Sequence, residues 1–192
     1  MTTPLLEPVL EAARTAVGEA DATIELEQAP RGLEAWSELQ LRDAVAGRLR
    51  DDYEVETEVR YPHAVTRRAW RCDLVVGAAD DALWIEVKRL EQGRSWMRQL
   101  GVSVSEDVAR LASDQDLPHR AVLLFAFVAN PDGAREALDA WRRELGGQGL
   151  EVLLPLEGAL AIADRSGVSH LLVWLLPVLA REQRLGPVML RR

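Results

Sequence analysis

The feature that most constrains the fold is an uninterrupted apolar run, AVLLFAFVA, at residues 121–129. A β-strand in which every side chain is apolar must be covered on both faces, as in the sheets of α/β proteins. Helical patterns flank this run at residues 94–115 and 132–146, and they supply the two covering layers. We therefore expect an α/β fold in which a central mixed β-sheet is flanked by α-helices.

The chain divides into a short N-terminal part, residues 1–31, and a main domain, residues 32–192. Apolar residues recur at helical spacing in the first part, followed by a polar connection that ends in a proline. This part could form a separate arm. The remaining predicted elements are a helix at 4–19, a connection at 20–31, a helix at 32–50, and strands near 150–156 and 168–176.

Charge and cysteine content exclude several classes of protein. The 192 residues carry a formal net charge of −8, so the chain as a whole does not attract nucleic acid, and any such contact must be local. A single cysteine, Cys72, excludes disulfides and cysteine-rich zinc sites and fits a reducing cytoplasm. The most apolar segment, residues 168–180, is too short to span a bilayer. We expect a cytoplasmic protein without membrane contact.

Three segments between residues 53 and 90 have the period of two that is typical of half-buried strands. In the first, Tyr53 to Tyr61, apolar residues alternate with glutamates. In the second, WRCDLVV, the pattern predicts Trp70, Cys72, Leu74 and Val76 on one face and Arg71, Asp73 and Val75 on the other. In the third, ALWIEVKRL, it predicts Leu83, Ile85 and Val87 on one face and Trp84, Glu86 and Lys88 on the opposite one.

Asp73, Glu86 and Lys88 are the residues that best combine into a chemical site. Two carboxylates on adjacent strands suit Mg²⁺ or Mn²⁺, which take oxygen ligands from one or two carboxylates, water and substrate phosphate. A lysine beside them would orient a metal-bound water or stabilise charge on a phosphate. Lys88 is also the only lysine among 23 basic residues, and arginine cannot replace a compact ammonium donor. The alternative is a solvated ion pair on one strand, worth about 0–1 kcal/mol.

These residues, in this order, resemble the motif of the PD-(D/E)XK nuclease superfamily, which has the restriction-endonuclease-like fold. The resemblance covers residues 32–128: Glu38 on a helix, Asp73 in RCDLVV, then Glu86-Val87-Lys88 in WIEVKR. It implies a mixed sheet flanked by helices and Mg²⁺-dependent hydrolysis of phosphodiester bonds in nucleic acid, usually DNA. Cys72 replaces the proline of the motif's name.

The resemblance also implies roles for individual residues. Asp73 and Glu86 would bind the metal, Lys88 would position or activate water, and Glu38 would complete the metal site directly or through water. Glu34 competes with Glu38 for that place, since both lie on the same stripe of the predicted helix. The exonuclease branch carries an aromatic residue one turn after the position of Gln99, where this chain has a serine, so an endonuclease is favoured.

A local basic surface is expected to bind nucleic acid, DNA above all, by contacting phosphates on both sides of the site. Trp70 and Trp96 are candidates for stacking on bases. Glu56 and Glu58 are interpreted as a solvated strand face from which one could reach the metal. The basic residues of this surface are Arg60, Arg67, Arg68, Arg71, Arg89, Arg94 and Arg98, with His63 among them.

Three functions follow in order of preference. The first is a metal-dependent endonuclease in DNA processing or defence, for which a homodimer would supply two active sites. The second is a catalytically inactive nuclease-fold protein that acts as a binding or regulatory partner of another protein. The third is a structural dimer module that pairs through residues 171–176.

Overall fold

The computed structural model describes residues 4–27, 31–62, 70–90, 95–162 and 167–180. Its six strands form one mixed sheet in the order β1-β2-β3-β4-β6-β5, with helices packed on both faces. The prediction of an α/β fold with a central mixed sheet is confirmed. Only β3 and β4 run parallel, and the other neighbours are antiparallel. The strands are β1 Val55–Arg60, β2 Arg71–Val76, β3 Leu83–Leu90, β4 His119–Val128, β5 Leu156–Ala161 and β6 His170–Pro177.

The apolar run at 121–129 forms most of β4, which lies inside the sheet and is buried on both faces as predicted. Its alternate residues enter two separate cores, with Leu124 on one side and Phe125 on the other. The helices are α1 Leu6–Leu26, α2 Glu38–Leu49, α3 Ser95–Gln99, α4 Ser105–Ser113 and α5 Pro131–Gly147, and a π-helical turn, Leu100–Val104, joins α3 to α4. The first two cover one face, and the others cover the opposite face.

The N-terminal helix is longer than predicted and belongs to the core. The pattern placed its end at residue 19, but α1 continues to Leu26 and buries Ile24. Val9, Ala13 and Val17 are buried in the same cluster as residues of α2, β5 and β6. Residues 28–30 of the predicted connection lie outside the described residues.

The helix predicted at 32–50 begins later, at Glu38. Gly32 precedes a short 3₁₀ turn, Leu33–Ala35, and Trp36 is extended. Ser37 then caps α2: its hydroxyl accepts a hydrogen bond from the backbone N–H of Gln40, whose side chain bonds back to the N–H of Ser37. This capping box fixes where α2 starts and therefore where Glu38 lies.

Strands β1 and β2 change faces part-way along, which the regular alternation did not predict. Val55 packs in the core on the α1 and α2 side of the sheet, whereas Val59 packs in the core on the opposite side. On β2, Leu74 lies in the core on the α1 and α2 side, and Cys72 lies in the core on the α4 and α5 side. The predicted common face of Cys72 and Leu74 is therefore wrong. The physical reason is the left-handed backbone of Glu58, whose φ is +57°.

The long helix predicted at 94–115 contains a π-helical turn. Trp96, Leu100, Val104 and Val108 are all buried at a constant spacing of four. Four residues per turn exceed the 3.6 of an α-helix, so a straight helix would rotate this row away from the core. The wider π-helical turn at Leu100–Val104 compensates for that drift.

The C-terminal strands differ from the prediction in two ways. The strand predicted at 150–156 is reduced to one isolated bridge, Val152↔Val178, and the strand proper follows Pro155, which has no N–H for a ladder. In β6, residues 171–176 are fully buried between β4 and β5, so they cannot form the dimer contact of the third function.

Among the described residues, no helix is long and apolar enough to cross a membrane.

Removal of the α2 cap should destabilise the protein. Ser37→Ala leaves the N–H of Gln40 without its acceptor, and we expect the free energy of unfolding to fall by about 1 kcal/mol. Urea unfolding followed by circular dichroism measures this change. Ser103→Ala, at an exposed position of the π-helical turn, is the matched control and should change stability little. Equal stability of the two variants would contradict the capping role.

Candidate active site

The site is built where β2 and β3 stop pairing through their backbones. Their antiparallel register runs from Val76↔Leu83 to Leu74↔Ile85. One residue further, a side chain takes the place of a backbone carbonyl acceptor. Oδ2 of Asp73 accepts a hydrogen bond of 2.8 Å from the N–H of Val87. The Cys72 thiol donates to the carbonyl of Ile85 at 3.2 Å. Asp73 is thereby fixed against the segment that carries Glu86 and Lys88.

Glu86 is almost completely buried, with 2% of its surface exposed. Two donors meet at its Oε1: the Tyr61 hydroxyl at 2.6 Å and the Arg110 guanidinium Nη1 at 3.0 Å. Burial, followed by the neighbouring Asp107 and Asp73 carboxylates, raises the pKa of Glu86 to about 8. Two carboxylates that share a site disfavour each other's charge, and a bound cation would remove that cost.

Lys88 lies between two carboxylates. Its Nζ is 3.0 Å from Glu38 Oε1 and 3.2 Å from Asp107 Oδ2. Burial alone would lower the pKa of Lys88, but the charges of Asp107 and Glu38 outweigh burial and raise it above the ordinary value. The side chain is therefore an ammonium at neutral pH. It is suited to orienting water or stabilising negative charge, and it is not suited to removing a proton.

Glu38 forms an ion pair with Lys88 in this structure. Its Oε1 accepts from Lys88 and its Oε2 accepts the backbone N–H of Arg89 at 3.1 Å. The first turn of α2 also favours a carboxylate there. Glu34, the competing candidate, turns its carboxylate back to the N–H of Gly32 at 3.2 Å. The structure thus brings Glu38, and not Glu34, to the end of β3.

Asp107 and its partner Arg110 are charged site residues that the sequence pattern did not reveal. Asp107 is buried on α4, with 4% of its surface exposed, and its Oδ1 lies 3.0 Å from Arg110 Nη1. Its Oδ2 has only the ion pair with Lys88 and no hydrogen bond from the described residues. A signal was present, because an aspartate follows Val104 by three residues and precedes Val108 on the buried stripe of the helix.

The six charged side chains that meet here, called the site cluster below, carry more negative than positive charge. Four carboxylates and two cations give a formal charge of −2 when all are ionised. One divalent cation would neutralise this excess. The members of the site cluster are Glu38, Asp73, Glu86, Lys88, Asp107 and Arg110.

The donor set fits Mg²⁺ or Mn²⁺ better than zinc. In the described ranges, no group of three or more His, Cys, Asp or Glu side chains is arranged to hold a metal ion alone. Asp73 and Glu86 offer a pair of carboxylates, which matches an ion that keeps several waters and completes its shell with substrate phosphate. Structural zinc would need four protein ligands.

The predicted basic surface is only partly assembled by the described residues. Arg60 and Arg71 are exposed and lie directly opposite each other on β1 and β2, and Arg98 is exposed on α3. Arg89 turns inward: its guanidinium donates to the carbonyl of Glu34 and lies 5.3 Å from the Phe127 ring centroid. Outside the described residues lie His63, Arg67, Arg68 and Arg94.

The aromatic and glutamate candidates differ in exposure and in the partners of their side chains. Trp70 is 43% exposed, whereas Trp96 is buried against Trp174, so its prediction as a base-stacking residue is wrong. Glu56 is exposed on β1, and Glu58 forms an ion pair with the buried guanidinium of Arg42. The carboxylate of Glu58 is thus engaged by Arg42 of α2.

Comparisons of the chain with family models, with curated proteins and with solved structures found no match. The geometry of the site cluster and the motif itself therefore carry the functional conclusion.

The raised pKa of Glu86 predicts how stability depends on pH in the metal-free protein. An unfolded glutamate titrates near pH 4.3, so between about pH 4 and 8 the folded state binds more protons than the unfolded state. The free energy of unfolding should therefore fall as the pH rises through this window. Glu86→Gln removes the titration and should be more stable than wild type at pH 8, by on the order of 4 kcal/mol.

Urea unfolding in the presence of EDTA, at pH values from 4 to 8, measures this difference. At about pH 4 the advantage of Glu86→Gln should vanish, because the wild-type carboxyl is then protonated in both states. Glu144→Gln, an exposed glutamate of α5, is the matched control. Parallel pH profiles for Glu86→Gln and wild type would show that Glu86 ionises normally.

Proposed function

We propose that the protein is a Mg²⁺-dependent nuclease that hydrolyses phosphodiester bonds in nucleic acid, with DNA as the expected substrate. The observation that carries the proposal is the meeting of Asp73 and Glu86 beside the charged ammonium of Lys88. The resemblance of these residues to the PD-(D/E)XK motif supports the same chemistry. Their order along the chain and their adjacent strands agree with it.

Asp73 and Glu86 would hold the metal ion between them. When bound, such an ion polarises the phosphate and lowers the pKa of a coordinated water. The N–H of Val87 fixes the orientation of Asp73, and the Tyr61 hydroxyl fixes that of Glu86. Because burial raises the pKa of the Tyr61 phenol, this hydroxyl stays protonated and keeps donating.

Lys88 would act as a fixed positive charge next to the reacting phosphate. Glu38 and Asp107 position its ammonium from two sides, so little reorganisation is needed when charge develops on the phosphate oxygens. The same ammonium would donate a hydrogen bond to the attacking water. Glu38 and Asp107 are positioning residues in this proposal.

A second function has its own observation. Arg110 already supplies a cation to Glu86 at 3.0 Å, which partly balances the carboxylate without any metal. A nuclease fold stabilised in this way would be able to act as a binding or regulatory partner without cleaving nucleic acid. The formal net charge of −8 suits a protein partner better than a polyanion.

The test is cleavage of supercoiled, linear and single-stranded DNA during titration with Mg²⁺ or Mn²⁺. We expect wild type to cleave, and Asp73→Asn, Glu86→Gln and Lys88→Gln each to lose at least about 100-fold in rate. Lys88→Arg should also fail, because a planar guanidinium cannot take the place of the ammonium between two carboxylates. Product formation on gels measures each rate.

Glu144→Gln again serves as the control and should cleave like wild type. Circular dichroism of every variant separates lost chemistry from lost folding. Full activity in all three carboxylate and lysine variants would refute the site. Absence of cleavage by wild type with both metals would favour the binding function.

A further inference from the structure

Trp70 has the most exposed indole of the six tryptophans in the chain. It is 43% exposed, whereas Trp96, Trp141 and Trp174 are buried and the other two are partly buried. It immediately precedes β2, and its carbonyl accepts the N–H of Tyr61, the residue whose hydroxyl contacts Glu86. Of the six indoles, this one therefore offers the most surface to a ligand near the site cluster.

Arg110 connects this ring to the site cluster. Its guanidinium carbon lies 4.9 Å from the Trp70 ring centroid, in cation–π contact. The Nη1 of the same guanidinium is 3.0 Å from Glu86 Oε1 and 3.0 Å from Asp107 Oδ1. Two carboxylates therefore fix the cation that contacts the indole, and only one guanidinium separates the exposed ring from the carboxylate of Glu86.

Two exposed arginines lie at the end of the β1–β2 pair that Trp70 precedes, on the opposite face of the sheet, where Arg71 Nη1 donates to the carbonyl of Glu58 at 3.5 Å. Arg71 follows Trp70 in the chain, and Arg60 is the direct partner of Arg71 in the β1–β2 register. Like charges directly opposite each other destabilise a sheet, so the pair favours an anion between them. A phosphate there would lie across this end of the β1–β2 pair from the Trp70 ring, and a single strand that passes over the end of the two strands would contact both places.

We propose that Trp70, backed by Arg110, is a stacking site for an unpaired nucleobase, and that Arg60 and Arg71 bind a phosphate of the same strand. Base faces inside a duplex are covered by their neighbours, so an indole fixed at a protein surface stacks best on a base without a partner. The substrate is accordingly single-stranded nucleic acid or an unpaired stretch of a duplex. This assignment rests on the proposed nuclease function, whose substrate it specifies.

Binding of a fluorescently labelled oligothymidylate in EDTA tests the stacking site without cleavage. Fluorescence anisotropy should show wild type binding the single strand more tightly than a blunt duplex of equal length. Trp70→Ala should bind the single strand at least about 5-fold more weakly, and Trp70→Phe should restore most of the affinity, because it keeps a stacking ring. An abasic strand of the same length should bind wild type and Trp70→Ala equally, since it has phosphates but no base.

Two further variants locate the effect. Arg60→Ala combined with Arg71→Ala should weaken binding of the normal and abasic strands alike, with a smaller salt dependence. Leu154→Ala, an exposed apolar residue between α5 and β5, is the control and should bind like wild type. Circular dichroism confirms that each variant is folded.

The outcomes separate this assignment from the nuclease itself. Equal affinity of Trp70→Ala and wild type for the oligothymidylate, or no binding by wild type, would overturn the stacking site. Cleavage that depends on Glu86 but not on Trp70 would leave the nuclease standing alone. Binding that depends on Trp70 without any cleavage would leave the stacking site standing and remove the nuclease.

Discussion

The hydrogen bond from the N–H of Val87 to Asp73 Oδ2 is the interaction on which the candidate site depends. Where a continued backbone ladder would have satisfied this N–H, a carboxylate does so, and the backbone pairing of the two strands stops there. The change of face in β1 and β2 occurs at the same level of the sheet. It requires the left-handed conformation of Glu58, which the buried Arg42 stabilises through an ion pair.

The site cluster consists of charged side chains that are largely buried, so each charge needs a partner. Buried carboxylates persist only when cations and donors compensate them, and Lys88, Arg110 and the Tyr61 hydroxyl do so here. The compensation is incomplete, since carboxylates outnumber cations by two in the site cluster. Burial, together with this excess of carboxylates, raises the pKa of Glu86. A metal ion and a proton therefore compete to neutralise the same excess of negative charge.

Sequence periodicity predicted what depends on local patterns and missed what depends on packing between elements. The apolar run of β4 and the alternation of β3 predicted the sheet and placed Glu86 opposite Val87 correctly. The change of face at Glu58 was invisible, because apolar and charged residues keep alternating through this position in the sequence. Asp107 was missed because its partner, Lys88, lies on β3, far from it in sequence. The two residues come together only in the folded chain, where the π-helical turn precedes α4 and keeps its buried side towards the core.

Calorimetric titration of Mn²⁺ into the metal-free protein tests most directly whether Asp73 and Glu86 form a metal site. We expect one bound ion per chain in wild type, accompanied by proton release at pH 7 because Glu86 must ionise. Asp73→Asn should lose that binding, and Glu144→Gln should retain it. Absence of binding in wild type, or equal binding in Asp73→Asn, would show that Asp73 and Glu86 do not form a metal site.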